Sequence, residues 1–236
     1  MFTGIVSGMA TLVTIERKQG LHTLTLAFDA GFLDDITLGA SVAVDGVCLT
    51  VVAYEARQAV FDVMLETLQC TTLGTYDVGQ RLNVERAARE GVEIGGHPLS
   101  GHVDCTACLV AIDRPDNNTV LTFQMPADKF RYIFTKGYLA VNGASLTIAS
   151  VDKARMQFSI WLIPETLRLT TFSEKTVGNA VNIEMERTTV VQVDTIRDYL
   201  DERLGALLPQ LEGLLAAQGQ SLYTLASIGF TPTGEM

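Results

Sequence analysis

The chain has 236 residues, 47% hydrophobic and 19% charged, a composition that excludes a disordered chain and allows one large domain or two small ones. Its formal net charge of −10, spread without basic blocks, argues against nucleic acid and anionic membrane surfaces as partners. The stretch Met1-Phe2-Thr3-Gly4-Ile5-Val6 has no basic n-region and no apolar run of signal length, and nowhere do about 18 apolar residues follow one another, so a soluble, cytoplasmic protein is expected. Cys48, Cys70, Cys105 and Cys108 are too few and too irregularly spaced for a disulfide framework, and free thiols are expected.

The first half is predicted to be short strands separated by turns: Ile5 to Ile15, His22 to Phe28, Ser41 to Val44, Val47 to Ala53, Ala59 to Met64 and Arg81 to Val84. Asp45-Gly46 lies between two of these and suits a tight hairpin. Strands at this spacing predict an antiparallel barrel or sandwich. The stretch Ala43-Val44-Asp45-Gly46-Val47-Cys48-Leu49-Thr50 then returns as Ala140-Val141-Asn142-Gly143-Ala144-Ser145-Leu146-Thr147, an offset of 145 − 48 = 97. Glu66-Thr67-Leu68 returns as Glu165-Thr166-Leu167, an offset of 165 − 66 = 99, and Val78 to Glu85 returns as Val177 to Glu184. The copies keep one order, so a domain has been duplicated.

The offset of 97 places Thr3-Gly4-Ile5-Val6 on Ser100-Gly101-His102-Val103 and puts the boundary near residues 88–97, where the glycine-rich Gly91 to His97 reads as a linker or the approach to a strand. The expected domains are residues 1–96, 97–188, a helical region 189–218 and a loose or docked tail 219–236. In the helical region Val193, Ile196, Leu200, Leu204 and Leu207 recur at helical spacing, forming one apolar stripe, and Pro209 is expected to end or kink the helix.

On a strand, Val47, Leu49 and Val51 share one face while Cys48 and Thr50 share the other; Ala144, Leu146 and Ile148 likewise predict a core face opposite Ser145 and Thr147. Two readings stand: small residues on a partly exposed face, or a small nucleophile beside a threonine, presented twice. Only the second gives a reason for the polar pair to persist in both copies.

The start Met1 to Val6, the Cys48 and Ser145 motifs, the two Glu-Thr-Leu segments and Gly95-Gly96-His97-Pro98-Leu99-Ser100-Gly101-His102 together resemble the riboflavin synthase family over about residues 1–200. The resemblance implies two tandem six-stranded Greek-key β-barrels with a C-terminal helix joining three chains. It implies the last step of riboflavin biosynthesis, a dismutation of two 6,7-dimethyl-8-ribityllumazine molecules with neither cofactor nor metal. Lumazine and riboflavin are the implied ligands, a homotrimer the implied assembly, and two similar pockets the implied need.

Carried over, one pocket comprises Gly4, Ile5, Val6, Cys48, Leu49, Thr50, Asp62, Val63, Met64, Leu65, Glu66 and Thr67. The other comprises Gly101, His102, Val103, Lys136, Ser145, Leu146, Thr147, Trp161, Leu162, Ile163, Pro164, Glu165 and Thr166. The chemistry needs proton removal from the acidic C7 methyl group and addition of a nucleophile at C7. Ser145 with His102, and Thr147 beside them, are expected to serve one pocket, and Cys48 with Thr50 the other; Lys136 would hold ring or ribityl oxygens and Phe2 would pack near the heterocycles. Lys136 also reads as a solvated strand-end charge, Phe2 as a strand anchor, Asp62 and Glu66 as surface carboxylates, and His97 as structural.

Three departures from the family pattern stand out. Asn142 replaces the Asp usual before the second glycine, Asp45 replaces the Asn often found in the first, and Glu186 stands where an Asp follows Asn-Ile-Glu. Asn142 keeps the turn but cannot act as a carboxylate base. Two other functions compete: a noncatalytic lumazine or flavin antenna, which retention of Cys48, His102, Lys136 and Ser145 opposes, and a metal site at His97, His102, Cys105 and Cys108. Cys105 and Cys108 would face opposite sides of a strand, which opposes the metal.

Overall fold

The computed structural model describes residues 1–205 and 207–217, so the tail expected over 219–236 lies outside the described residues. Strands β1 (Gly8–Lys18), β2 (Leu21–Ala27), β3 (Ser41–Val44), β4 (Val47–Glu55), β5 (Gln58–Met64) and β6 (Arg81–Arg86) close a barrel in the order β1-β2-β5-β4-β3-β6. Strands β7 (Cys105–Asp113), β8 (Thr119–Gln124), β9 (Tyr138–Val141), β10 (Ala144–Asp152), β11 (Gln157–Leu162) and β12 (Ala180–Met185) close a second barrel in the same cyclic order. Short helices α1 (Leu65–Cys70) and α2 (Pro164–Leu169) follow β5 and β11, and α3 (Arg187–Leu204) and α4 (Leu208–Ala217) follow the second barrel. Both barrels lie in one compact unit, Met1–Thr189. Among the described residues no helix is long and apolar enough to cross a membrane.

Alternation builds each barrel. In β4 and β5, Val47, Leu49, Val51, Ala59, Phe61 and Val63 turn inward and join Leu12, Leu24, Leu26, Leu82 and Val84 in one buried cluster. At the β3–β4 and β9–β10 turns, Asp45-Gly46 has φ of 44° and 81° and Asn142-Gly143 has 44° and 78°, the two left-handed residues that a tight hairpin matching strand twist requires. The two tips abut: a Cβ on Gly46 would fall 2.7 Å from the Gly143 nitrogen. Beside them the repeated asparagines clamp barrel to barrel. Asn83 donates from Nδ2 to the Asn142 carbonyl (3.0 Å) and accepts from the Thr171 N–H (2.8 Å); Asn182 donates to the Asp45 carbonyl (2.9 Å) and accepts from the Thr72 N–H (2.8 Å).

Three expectations need correction. The first strand begins at Gly8, not Ile5, because residues 2–6 leave the barrel edge and pair Phe2 with Leu99. Leu146 is only half-buried, unlike Ala144 and Ile148 on its face. Pro209 lies in the first turn of α4, where its missing N–H costs nothing; the break from α3 comes earlier, after Leu204.

Candidate active site

Cys48 and Ser145 sit at equivalent places, half-buried on β4 and β10 with exposed Thr50 and Thr147 on the same face. Each is met by backbone from the other repeat. The Ser145 N–H donates to the Gly4 carbonyl (2.8 Å) and the Cys48 N–H to the Gly101 carbonyl (2.9 Å). Both glycines have left-handed backbone, φ 76° and 80°, and a Cβ on either would come within 2.5 Å of the Cβ of Ser145 or Cys48, so only glycine fits.

The crossing segments are docked by the last acidic residue of each barrel. Glu85 accepts from the Thr3 N–H (2.6 Å), the Thr3 hydroxyl (2.7 Å) and the Gly4 N–H (3.0 Å). Glu184 accepts likewise from the Ser100 N–H (2.7 Å), its hydroxyl (2.7 Å) and the Gly101 N–H (2.9 Å). Burial pushes the Glu85 carboxyl up, against the pull of those Thr3 and Gly4 hydrogen bonds.

The expected grouping is therefore exchanged within the chain. Gly4, Ile5 and Val6 line a small cavity of about 120 Å³ with Ser145, Leu146, Glu165 and Thr166, not with Cys48. Gly101 packs on Cys48, and Val103 packs against the first barrel's core. Exposed His102 travels with them, and the ring that meets Ser145 is that of His97 instead.

Around Ser145 a cavity of about 570 Å³ is lined by Lys136, Leu146, Thr147, Trp161, Ile163 and Thr166. Trp161 and Ile163 stand at its rim, 54% and 58% exposed, while Leu162 between them fills the barrel core. His97 is buried, stacks on Tyr138 with ring centres 5.3 Å apart, and places Nδ1 2.6 Å from Ser145 Oγ. Among the described residues its buried Nε2 has no hydrogen-bond partner. Burial holds the imidazole below its ordinary value, opposed by the Glu186 carboxylate. Glu186 is itself held down to about 2: burial raises it, but hydrogen bonds from Thr189 and Thr188 in the first turn of α3 outweigh that. Pro164 opens α2, and Glu165 is engaged by Arg168 at 2.6 Å on that helix.

Around Cys48 the structure gathers Thr50 on β4 and the end of β5. Asp62 accepts from the Thr23 hydroxyl at 2.6 Å, Met64 and Leu65 are exposed, and Glu66 and Thr67 open α1. Val63 and Leu49 point into the core and contribute no side chain to this face. Phe2 is fully buried at the seam between the barrels, in a cluster with Ala43, Leu99 and Ala140 against which Cys48 packs. A larger cavity, about 750 Å³, lies between Thr3, Ile5 and Ser7, the loop at Gly31, Asp34 and Asp35, and residues between Glu85 and Gly95, and neither Cys48 nor Ser145 lines it.

Sequence reasoning read His97 as structural and did not single out Glu85 and Glu184 as builders of this face. The repeated Leu-Asn-Val-Glu and Val-Asn-Ile-Glu strands were a signal for the carboxylates; for His97 the signal was its place in the Gly95 to His102 motif, which did not say that its ring would meet Ser145. Among the described residues no group of three or more His, Cys, Asp and Glu side chains gathers as a metal site. Burial pushes the Cys105 thiol up to about 12, which makes it a poor thiolate ligand.

Comparison with known proteins comes to the same repeats. The family model described as "Lumazine binding domain" matches residues 3–87 and again 100–186. The riboflavin synthase of Escherichia coli (strain K12) is 42% identical over 208 residues, covering 88% of this chain and 97% of that protein. That of Bacillus subtilis (strain 168) is 38% identical over 186 residues, covering 79% and 85%. Among solved structures, LumP complexed with riboflavin superposes with a TM-score of 0.71 at 24% identity, over 79% of this chain and 100% of that one. LumP complexed with 6,7-dimethyl-8-(1'-D-ribityl) lumazine gives 0.71 at 22% identity, over 79% and 99%; at these identities the likeness is one of fold.

Proposed function

The chain belongs to the lumazine-binding family of the riboflavin synthases, and from that premise we propose that it converts two 6,7-dimethyl-8-ribityllumazine molecules into riboflavin and 5-amino-6-ribitylaminouracil. The observation that carries this reading is the second repeat's half-site, where Ser145 Oγ, bound to His97, opens on the cavity walled by Lys136, Thr147 and Trp161. A binder needs one ring pocket; a dismutation of two identical molecules needs two related ones, and the chain repeats the motif at Cys48.

One lumazine would lie against Ser145, Leu146, Thr147, Lys136 and Trp161 to Thr166, with Gly4, Ile5 and Val6 as the crossing wall. The other would lie against Cys48, Thr50, Asp62 and Met64 to Thr67, and against the backbone alone at Leu49 and Val63, with Gly101, His102 and Val103 crossing over. In this reading Ser145 and Cys48 would supply the nucleophile at C7, His102 would take the proton in the Cys48 half-site with Thr50 as a hydrogen-bonding hydroxyl, and Lys136 would hold a ring or ribityl oxygen. Four carbons pass from one copy of the substrate to the other, so the electrons balance without a redox cofactor. Domain boundaries at 96/97 and 188/189, a cytoplasmic setting and assembly of three chains belong to the same proposal. The rims of these faces are open, which supports closure by a neighbouring subunit.

The test is to incubate the protein with the lumazine and follow riboflavin absorbance, with one riboflavin expected per two lumazines consumed. Tight lumazine binding with no riboflavin formed would make the protein an antenna-type binder.

A further inference from the structure

Gly95-Gly96-His97 reads in the sequence as a linker between repeats, yet its backbone and side chain form a wall against Ser145. A Cβ on Gly96 would stand 2.7 Å from Ser145 Cβ and 3.0 Å from Oγ, so this segment fixes where the hydroxyl lies. His97 then supplies Nδ1 at 2.6 Å, with its ring held flat on Tyr138, the two planes 22° apart. Because the buried Nε2 has no partner among the described residues, Ser145 is the hydrogen-bond partner this ring has. A neutral ring that accepts from the Ser145 hydroxyl at Nδ1 carries its own hydrogen on Nε2.

Resting on the riboflavin synthase reading, we propose that His97 is a positioning residue that takes the Ser145 hydroxyl proton and so makes Ser145 the oxygen nucleophile of its half-site. As Oγ bonds to C7 of the bound lumazine, the O–H bond breaks, the proton passes to Nδ1, and the displaced π pair is taken into the conjugated ring. When the C7–Oγ bond later breaks, its electron pair returns to oxygen and the proton comes back from the imidazole. No oxidant or reductant enters. The groups facing the ring suit this cycle: Tyr138 on β9 stacks on it, Ser145 on β10 bonds it, and the Glu186 carboxylate before α3 favours the imidazolium that forms. Burial keeps the resting ring neutral and able to accept.

The experiment compares wild type, His97→Asn, Ser145→Ala and the double variant for riboflavin turnover across pH, with lumazine affinity by fluorescence titration and thermal melting on each. The Asn amide can still hydrogen-bond Ser145 but cannot take its proton. His97→Asn is expected to lower turnover about 100-fold while lumazine affinity stays within about twofold, as expected when an interaction made only in the transition state is lost. Wild type should lose activity as pH falls below the ordinary imidazole range and His97 protonates, and His97→Asn should lack that acid limb. The double variant should be no slower than Ser145→Ala, because the two groups act as one unit. Wild-type turnover in His97→Asn, a surviving acid limb, or losses that multiply would overturn the role. If His97→Asn does not fold, Ser145→Ala decides alone: its acid limb must also vanish, and persistence overturns the role. A wild-type protein that makes no riboflavin sinks the functional reading itself, whereas an active wild type with an indifferent His97→Asn sinks only this inference.

Discussion

At the hairpin tips one carboxylate separates the two repeats. Asp45 is fully buried, accepting from the Asn83 N–H at 2.7 Å and from the Tyr76 hydroxyl at 2.6 Å. Its counterpart Asn142 accepts from the Asn182 N–H at 2.7 Å. Where the first repeat has Tyr76 the second has Lys175 (175 − 76 = 99), whose ammonium sits 5.5 Å over the Tyr76 ring. The carboxylate expected at position 142 is thus present on the other tip, beside a cation from the other repeat. Burial raises the Asp45 carboxyl from 3.8 to about 6, against the charge of Lys175 and the hydrogen bonds from Tyr76 and Asn83. With the folded value above the unfolded one, the fold favours the neutral acid: its full contribution is present below about pH 3.8 and is lost as pH rises through about 6. Between pH 3.8 and 7.5, wild type should therefore lose on the order of 2–3 kcal/mol more stability than Asp45→Asn. Urea denaturation at the two pH values checks this, and equal losses would show that Asp45 titrates normally. Asn142→Asp, which sets a second carboxylate on the facing tip, should destabilise at neutral pH and recover toward pH 4, measured in the same way.

At the scale of elements, the crossing segments 2–6 and 100–103 join the barrels and complete the half-sites, and each hangs on one glutamate. Glu184→Gln would leave one oxygen for three donors and turn an NH₂ group toward an N–H, at about 2–3 kcal/mol. Because that segment carries Gly101 and His102 to Cys48, the expected outcome is weaker lumazine binding and slower turnover, with both barrels still folded; titration and circular dichroism check it. Unchanged affinity would mean that the segment is held by its Phe2–Leu99 pairing alone. These elements also show what the sequence could tell. Strands and tips were readable because alternation and Asp-Gly or Asn-Gly have local physical meaning, and the β3–β4 strands and turn fall where Ser41 to Ala53 placed them. The exchange of Gly4 and Gly101 between repeats was not readable, since alternation sets the face a side chain takes but not which barrel the chain meets beyond the strand end. Glu165 was carried over as a pocket residue; nothing in a pairwise echo with Glu66 revealed that Arg168, on the next turn of α2, would bind it.

For the whole molecule the open question is what covers α3. Ile196, Leu200 and Leu204 lie four residues apart on one stripe of this helix and are 59%, 45% and 47% exposed. An apolar stripe of that kind left in water is unfavourable, by roughly 1.5–3 kcal/mol for each large side chain that burial would cover, and helices with such stripes associate through them. A closed cyclic assembly gives every copy the same contact and leaves none exposed. In the proposed assembly of three chains a neighbour would cover this stripe, and because that proposal has the neighbour also close the half-sites, assembly and turnover should fail together. Replacing Ile196 and Leu200 by Glu should convert a native mass of about three chains into that of one. Riboflavin formation should fall at least 10-fold while each barrel keeps its melting transition and its affinity for a single lumazine. The check is native mass spectrometry beside the lumazine assay at several protein concentrations. Full activity in a monomer would mean that one chain brings both lumazines together by itself, and the trimer would then have no part in the chemistry.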